Sequence, residues 1–265
     1  MHVTVVMAVH NDAATVRAAI ESIFHQTHRD WELVIVDDAS TGMTSEILAT
    51  FANRDRRVTV VRNPVNRGLA ASLNSGWRQA RGELIARMDA DDTSLPDRLA
   101  RQVEFMDLHA EVAVLGTAAE LVDEKEKSLG IASRPERHEA LAERIYKESP
   151  FIHPSVIIRR SFLEALGGYD ERLRRGQDYD LWLRGYRGFR FHNLPDALLR
   201  YRVQRRPSLS AILWGTFVLG RGAYREGRLL THGWYSMRYL TAGVMTRLGL
   251  YDARLRPTGA LTVGS

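Results

Sequence analysis

With 265 residues, 45% of them hydrophobic, the chain can bury one large core, or one core with a small appendage. The absence of cysteine excludes disulfides and thiolate metal centres, and nothing in the composition calls for an oxidising compartment. The formal charge of +5 hides an asymmetry: residues 198–265 carry eleven arginines against Glu226 and Asp252, which leaves residues 1–197 net negative.

In chain order, the first apolar run, Val3 to Val9, ends at His10-Asn11-Asp12 and reads as a strand, not as a signal peptide, because no basic region precedes it. A helical pattern follows over Ala13 to Gln26, then a strand over Trp31 to Val36 that stops at Asp37-Asp38. A second helix over Ser45 to Arg54 leads to a strand at Val58 to Val61, followed by the polar stretch Asn63 to Gly68. A third helix, Leu69 to Arg81, precedes the strand Leu84 to Met88, which runs into Asp89-Ala-Asp91-Asp92. This βα alternation implies a parallel sheet with helices on both faces, and such sheets bind ligands beyond the carboxyl ends of their strands. All four polar clusters fall on that edge. In an extended segment Asp89 and Asp91 project to one side, roughly 7 Å apart. Three neighbouring carboxylates demand a counter-charge, and a divalent cation would satisfy them while recruiting a diphosphate. A metal-bound nucleotide is therefore expected.

The second half is less regular. A helix is expected near Arg98 to His109, a strand over Val112 to Val122, and a solvated turn at Asp123 to Lys127. Residues 133–149 read as a polar helix or loop able to cover an acceptor, and His153 to Arg159 as a strand. A helix from about Ser161 stops at Gly167-Gly168, and another opens at Gln177-Asp178-Tyr-Asp180, where acids suit the helix dipole. Trp182 reads as a core residue of that helix, and Phe189 to His192 and Leu198 to Val203 as two short strands. No GxGxxG follows the first strand and no GxxxxGK[ST] occurs, which argues against dehydrogenase and P-loop chemistry; His138-Glu139 has Ala142 where a zinc helix needs its second histidine.

In the basic tail, the 14 uncharged residues Pro207 to Gly220 are too few to span a bilayer. Trp234, Met237, Thr241, Val244 and Leu248 recur at helical spacing, so this amphipathic stripe either packs on the main domain or lies on a membrane surface, with Trp234, Tyr235 and Tyr239 beside arginines. No nucleic-acid module is recognisable, and no nucleic-acid partner is expected.

Taken in order, Val-x-x-His10-Asn11, Val36-Asp-Asp-Ala-Ser40, Asn66-Arg-Gly68, Asp89-Ala-Asp91-Asp92, His153-Pro-Ser155, Gly167-Gly-Tyr-Asp170 and Gln177-Asp178-Tyr-Asp-Leu181 resemble the inverting glycosyltransferases of family 2. The resemblance implies an α/β GT-A fold: a Rossmann-like, mostly parallel central sheet flanked by helices, with a C-terminal helical extension. Residues 1–205 would form the glycosyltransferase domain, with a nucleotide-sugar half at 1–110 and an acceptor half at 111–205, and residues 206–265 the extension. It further implies that Ala8, His10 and Asn11 line the nucleotide and that Asp38 contacts the base, uracil being favoured; Asp37 is the rival for that role or a loop cap. Asn66, Arg67 and Gly68 would approach the nucleotide, with Arg67 compensating phosphate charge. Asp89 and Ala90 would also lie on the nucleotide. Asp91 is the implied metal ligand, with Asp89 beside it on ribose or metal-bound water, and Asp92 either completes the site or shapes the turn.

Asp178 matches the general base, preceded by Gln177 where relatives usually have Glu, and His153 and Gln177 are candidates for acceptor binding. Gln204 stands where many relatives carry His, so metal affinity is expected to be weaker, or Arg205 and Arg206 to hold the diphosphate. The implied activity is inverting transfer, dependent on Mn or Mg, from a nucleotide-sugar donor to a saccharide or lipid-linked acceptor. Its expected setting is the cytoplasm, at the inner face of the plasma membrane, in cell-surface polysaccharide or glycolipid assembly. Two alternatives stay open: a silent nucleotide-binding partner subunit, and a sugar-phosphate nucleotidyltransferase, although the Gly-rich loop of the latter is missing.

Overall fold

The computed structural model describes residues 1–203, 209–225, 240, 241, 244, 261 and 262. Its elements are β1 (Val3–Val9), α1 (Val16–Phe24), β2 (Trp31–Asp37), α2 (Met43–Arg54), β3 (Val58–Arg62), α3 (Leu69–Gln79), β4 (Leu84–Asp89), β5 (Thr93–Ser94), α4 (Arg98–Leu108), β6 (Val112–Val122), β7 (Ser128–Ala132) and α5 (His138–Arg144). A 3-10 turn at His153–Ser155 then leads to β8 (Ile157–Arg159), α6 (Arg160–Leu166), α7 (Gln177–Gly185), β9 (Arg190–Arg202), α8 (Leu209–Arg225) and β10 (Leu261–Thr262).

The first four long strands lie in the order β3-β2-β1-β4, all parallel. Their runs are apolar because both faces are covered: β2 is buried at every position. One face packs on α1, α2 and α4 through Ile20, Ile23, Leu48, Phe51 and Leu99; the other packs on α3, α6, α7 and α8 through Leu73, Trp77, Phe162, Trp182 and Val218. Register then aligns the strand ends, pairing Val9 with Asp37, Ala8 with Asp89, and Asp37 with Arg62. Every loop that leaves these strands at their carboxyl ends therefore opens on one edge.

Beyond β4 the sheet becomes mixed. β8 runs antiparallel to both β4 and β6, while β9 runs parallel to β6 and pairs with β5 on its other side. The two short strands expected over 189–203 are one long strand, β9, whose breaks in periodicity are register shifts against β6. The strand expected over His153 to Arg159 begins only at Ile157, because Pro154 favours the preceding turn, where Ser155 N–H donates to Ile152 O. Of residues 133–149, expected as a polar helix or loop, the stretch His138–Arg144 is α-helical. Other expectations hold closely, including α6 ending at Gly167 in the left-handed conformation and the Asp123 turn, whose carboxylate accepts from the N–H groups of Lys125 and Lys127. Trp182 is fully buried, edge-on to Phe151, and so belongs to the core as expected.

The two halves are tied by side chains as well as strands. Asn74 of α3 donates to Tyr169 O (2.8 Å) and accepts from Tyr169 N–H (2.9 Å), which fixes the loop that leads to α7. A Cβ at Gly168 would collide with Asn74, so this contact requires glycine there, as does its φ of +75°. α8 is pinned to the same loop by Arg221, 2.8 Å from Asp170. Gln204, Arg205, Arg206 and, in the amphipathic stripe, Trp234, Tyr235, Met237, Tyr239 and Leu248 lie outside the described residues.

Candidate active site

At the end of β4 the chain turns at Ala90 instead of continuing extended, so Asp89 and Asp91 are not held one pleat apart. The turn draws Asp89, Asp91 and Asp92 together, with one oxygen from each lying within 4.8 Å of the others. Asp12, from the loop after β1, adds a fourth carboxylate to their field: burial raises its pKa, and Asp89 adds to the rise against a hydrogen bond from His10 N–H. Asp91 is raised by burial and then by Asp89. Asp92 is pushed up to about 8, by burial first and by Asp89 and Asp91 after it. One Asp92 oxygen accepts from Arg202 N–H (2.9 Å), while Oδ2 has no partner among the described residues. An all-oxygen donor set with an orphaned buried oxygen suits a hard divalent cation such as Mg or Mn.

Arg87 is the charge that sequence reasoning missed. It sits two residues before Asp89 on the same face of β4, is 4% exposed, and donates both terminal nitrogens to the two Asp89 oxygens, Nη1 to Oδ2 at 2.6 Å. A charged residue inside the apolar run Leu84-Ile-Ala-Arg-Met88 was the available signal. Asp12, two residues beyond His10, was the other omission.

On the nucleotide side, Ala8 is half-buried between Val36 and Asp89 in the register. His10 and Asn11 lock their loop to the next one: His10 Nδ1 lies 2.8 Å from Asp38 O, and Asn11 Oδ1 accepts from Thr41 N–H at 2.9 Å. Asp38 is buried and accepts from Asn63 Nδ2 (2.7 Å), Arg67 N–H and Gly68 N–H (both 2.8 Å). Burial opposes its charge, but the bonds from Arg67, Asn63, Gly68 and Ser72 together hold its pKa below the usual carboxylate range. Gly68 starts α3 at φ 85°, which glycine adopts without strain.

Asp37 instead caps its own loop through Ser40 N–H (2.8 Å) and Ser45 Oγ (3.0 Å), and pairs with Arg62 (3.2 Å). Asn66 is exposed at the rim and Ala90 is buried within the acid turn. Arg67 reaches across to Glu171 of the other half at 3.2 Å, so any compensation of phosphate charge competes with that pair.

On the opposite side, Gly176 precedes α7 and places Asp178 in the first turn, next to buried Gln177. Burial raises the Asp178 pKa; a hydrogen bond from Tyr179 N–H and the charge of Arg87 oppose the rise, and Asp89 adds to it. The base candidate thus feels both Asp89 of the acid turn and the Arg87 charge paired with it. His153 is buried, with Nε2 3.0 Å from Tyr169 Oη, and burial together with Arg87 holds it neutral, well below the usual range. Asp178 and His153 both feel the charge of Arg87, whereas Gln177 is placed only as a buried neighbour of Asp178 in the first turn of α7. A neutral His153 supplies a hydrogen bond, not a cation.

Comparison with known proteins agrees with the fold. A family model described as glycosyl transferase family 2 matches residues 4–167. The putative glycosyltransferase EpsE of Bacillus subtilis (strain 168) is 39% identical over 206 residues, covering 76% of this chain and 72% of that one. The crystal structure of S. aureus TarS 1-349 in complex with UDP-GlcNAc is similar with a TM-score of 0.69 at 20% identity, over 94% of this chain and 73% of that one. The mannosyltransferase PcManGT from Pyrobaculum calidifontis, in complex with GDP-Man and Mn2+, is similar with a TM-score of 0.66 at 20% identity, over 95% and 76%.

Proposed function

The chain belongs to glycosyl transferase family 2, and from that membership we propose that it is a metal-dependent, inverting enzyme that transfers a sugar from a UDP-sugar to an acceptor hydroxyl. It is a glycosyltransferase with the GT-A fold, a class whose solved neighbours carry UDP-GlcNAc or GDP-Man. The observation that supports the finer reading is an oxygen-rich acid turn, Asp89 with Asp91 and Asp92, whose Asp89 and its partner Arg87 both act electrostatically on Asp178.

In this reading Asp38, with the Asn66–Gly68 loop bound to its carboxylate, fixes the base, and Ala8, His10, Asn11 and Ala90 line the nucleotide. Asp89 and Asp91 are the acids that hold the divalent cation and the ribose. A Mn or Mg ion bound there supplies neutralisation of the charge that gathers on the departing diphosphate. Asp178 accepts the acceptor hydroxyl proton as that oxygen bonds to the anomeric carbon. The bond from that carbon to the diphosphate oxygen breaks on the opposite face, and the diphosphate leaves with the electron pair, so configuration inverts. Burial lifts the basicity of Asp178, while Arg87 favours its ionised form. His153 and Gln177 face the acceptor.

The acceptor in this reading is saccharide or lipid-linked, in polysaccharide or glycolipid assembly, and the enzyme works in the cytoplasm against the inner membrane face. The support is the basic tail together with α8, where Leu213, Phe217 and Tyr224 are exposed. No described helix is long and apolar enough to cross a membrane.

The test is a thermal-shift screen of UDP- and GDP-sugars with and without Mn, followed by calorimetry on Asp91→Ala. The expected result is Mn-dependent stabilisation by a UDP-sugar, with UDP affinity in Mn reduced about a hundredfold in the variant. Stabilisation that ignores metal, or unchanged affinity in Asp91→Ala, rejects the reading.

A further inference from the structure

We propose that Arg87 is a positioning residue: its guanidinium clamps Asp89 as a fixed hydrogen-bond acceptor for the donor and leaves the divalent cation to Asp91 and Asp92. The assignment rests on the metal-bound nucleotide reading above and specifies how its acids divide the work.

Burying a guanidinium in an apolar strand is costly, and a hydrophobic side chain of similar size would stabilise β4 at least as well. Its position therefore calls for an explanation in geometry. The planar fork of arginine matches a carboxylate two donors to two acceptors, and two-residue spacing on a strand places both groups on one face. Arg87 uses that match in full, since both Asp89 oxygens accept from its terminal nitrogens. The two neighbouring acids differ from Asp89. Asp91 makes no side-chain hydrogen bond to another residue among those described, and Asp92 keeps Oδ2 without a partner. Of three carboxylates within ligating distance of one another, one is already committed and two present free oxygens to a cation.

The second buried arginine does not share this role. Arg98 spends its donors on Arg87 O (2.8 Å), Gln102 Oε1 (3.2 Å) and Met88 Sδ (3.4 Å), and touches none of the acids. The Arg87 charge also faces the acceptor side, where it acts on Asp178, Tyr169 and His153. Its charge opposes the rise in the Asp178 pKa to which burial and Asp89 contribute.

The experiment uses the full chain and Mn2+ alone, then UDP in saturating Mn2+, by calorimetry, with water-proton relaxation reporting the coordinated waters on bound Mn2+. Asp89→Asn is expected to weaken Mn2+ alone by about tenfold, the low end of an outer-shell change, whereas Asp91→Asn abolishes it. Arg87→Lys keeps the charge but loses the fork, and is expected to weaken UDP about tenfold with Mn2+ affinity unchanged. Arg87→Met releases Asp89 onto the cation, so Mn2+ alone binds more tightly and carries one water fewer. An Asp89→Asn variant as damaged in Mn2+ uptake as Asp91→Asn, or Arg87→Lys with wild-type UDP affinity, overturns the assignment. Should Arg87→Met fail to fold, the other variants decide the matter. A wild type that takes up Mn2+ but not UDP overturns the donor reading instead, and the Mn2+ arm still settles the role of Asp89.

Discussion

The proposed nucleotide edge and the proposed acceptor face of this enzyme are built by different means. At the edge, the carboxyl ends of β1, β2, β3 and β4 are level because their parallel registers coincide, and each candidate residue lies within a few positions of a strand end. On the acceptor face, Asp178, His153 and Tyr169 come from a helix, a 3-10 turn and a loop, held by Asn74, by the His153–Tyr169 hydrogen bond and by the pairing of Arg221 with Asp170. Backbone register places one set; individual side chains place the other. Damage to the first should therefore appear in binding and stability, and damage to the second in turnover.

The strongest test of that division is Asp178→Asn. Loss of a general base costs on the order of 10³-fold in kcat, and because the substitution is isosteric and lies on α7, not on a strand end, UDP binding in Mn should stay close to that of the wild type. Steady-state assays beside calorimetry measure both. Parallel losses in rate and binding would erase the distinction.

Asp38→Ala addresses the edge. Removing the carboxylate leaves the N–H groups of Arg67 and Gly68 and the Asn63 amide without their acceptor, a loss of about 3 kcal/mol when some of them regain water. Denaturant unfolding should show that decrease together with loss of nucleotide binding. A variant as stable as wild type would mean that the loop does not depend on this anchor.

The smallest effect is in pH. The folded pKa of Asp92 is raised to about 8 from 3.8, so the folded form holds a proton that the unfolded chain releases. Its contribution is present below the unfolded value and is lost as pH rises through the folded one. Metal-free protein should therefore melt lower at pH 9 than at pH 6. Mn2+ should narrow the gap by favouring the ionised form, and Asp92→Asn should flatten it. A melting temperature that rises with pH over this range would contradict the raised pKa.

The same division explains what could be read in advance. The first four βα units were legible nearly to their ends, because burial on both faces of a parallel sheet writes continuous apolar runs into the chain. The acid cluster was read from carboxylates gathered at a strand terminus, and Asp38 and Asp178 were assigned by resemblance. The second half was read less well: β9 looked like two strands because its pairing with β6 slips, and His153 to Ser155 looked extended although Pro154 sits in a turn. Arg87 was passed over although its charge interrupts an apolar run, and Asp12 because an acid after a strand end reads equally well as a solvated turn residue.

The order of strands, helices and motifs was enough to determine the family, the layered architecture and the edge on which the acids gather, since each follows from hydrophobic period and from where strands stop. The tertiary structure alone decided that the turn at Ala90 closes three carboxylates into one group, that Arg87 pairs with Asp89 while its charge reaches Asp178, and that Arg67 reaches Glu171. These relations depend on side-chain direction and on contacts between segments as much as about a hundred residues apart, and such distances are set by packing of the whole core and not by any local stretch of chain.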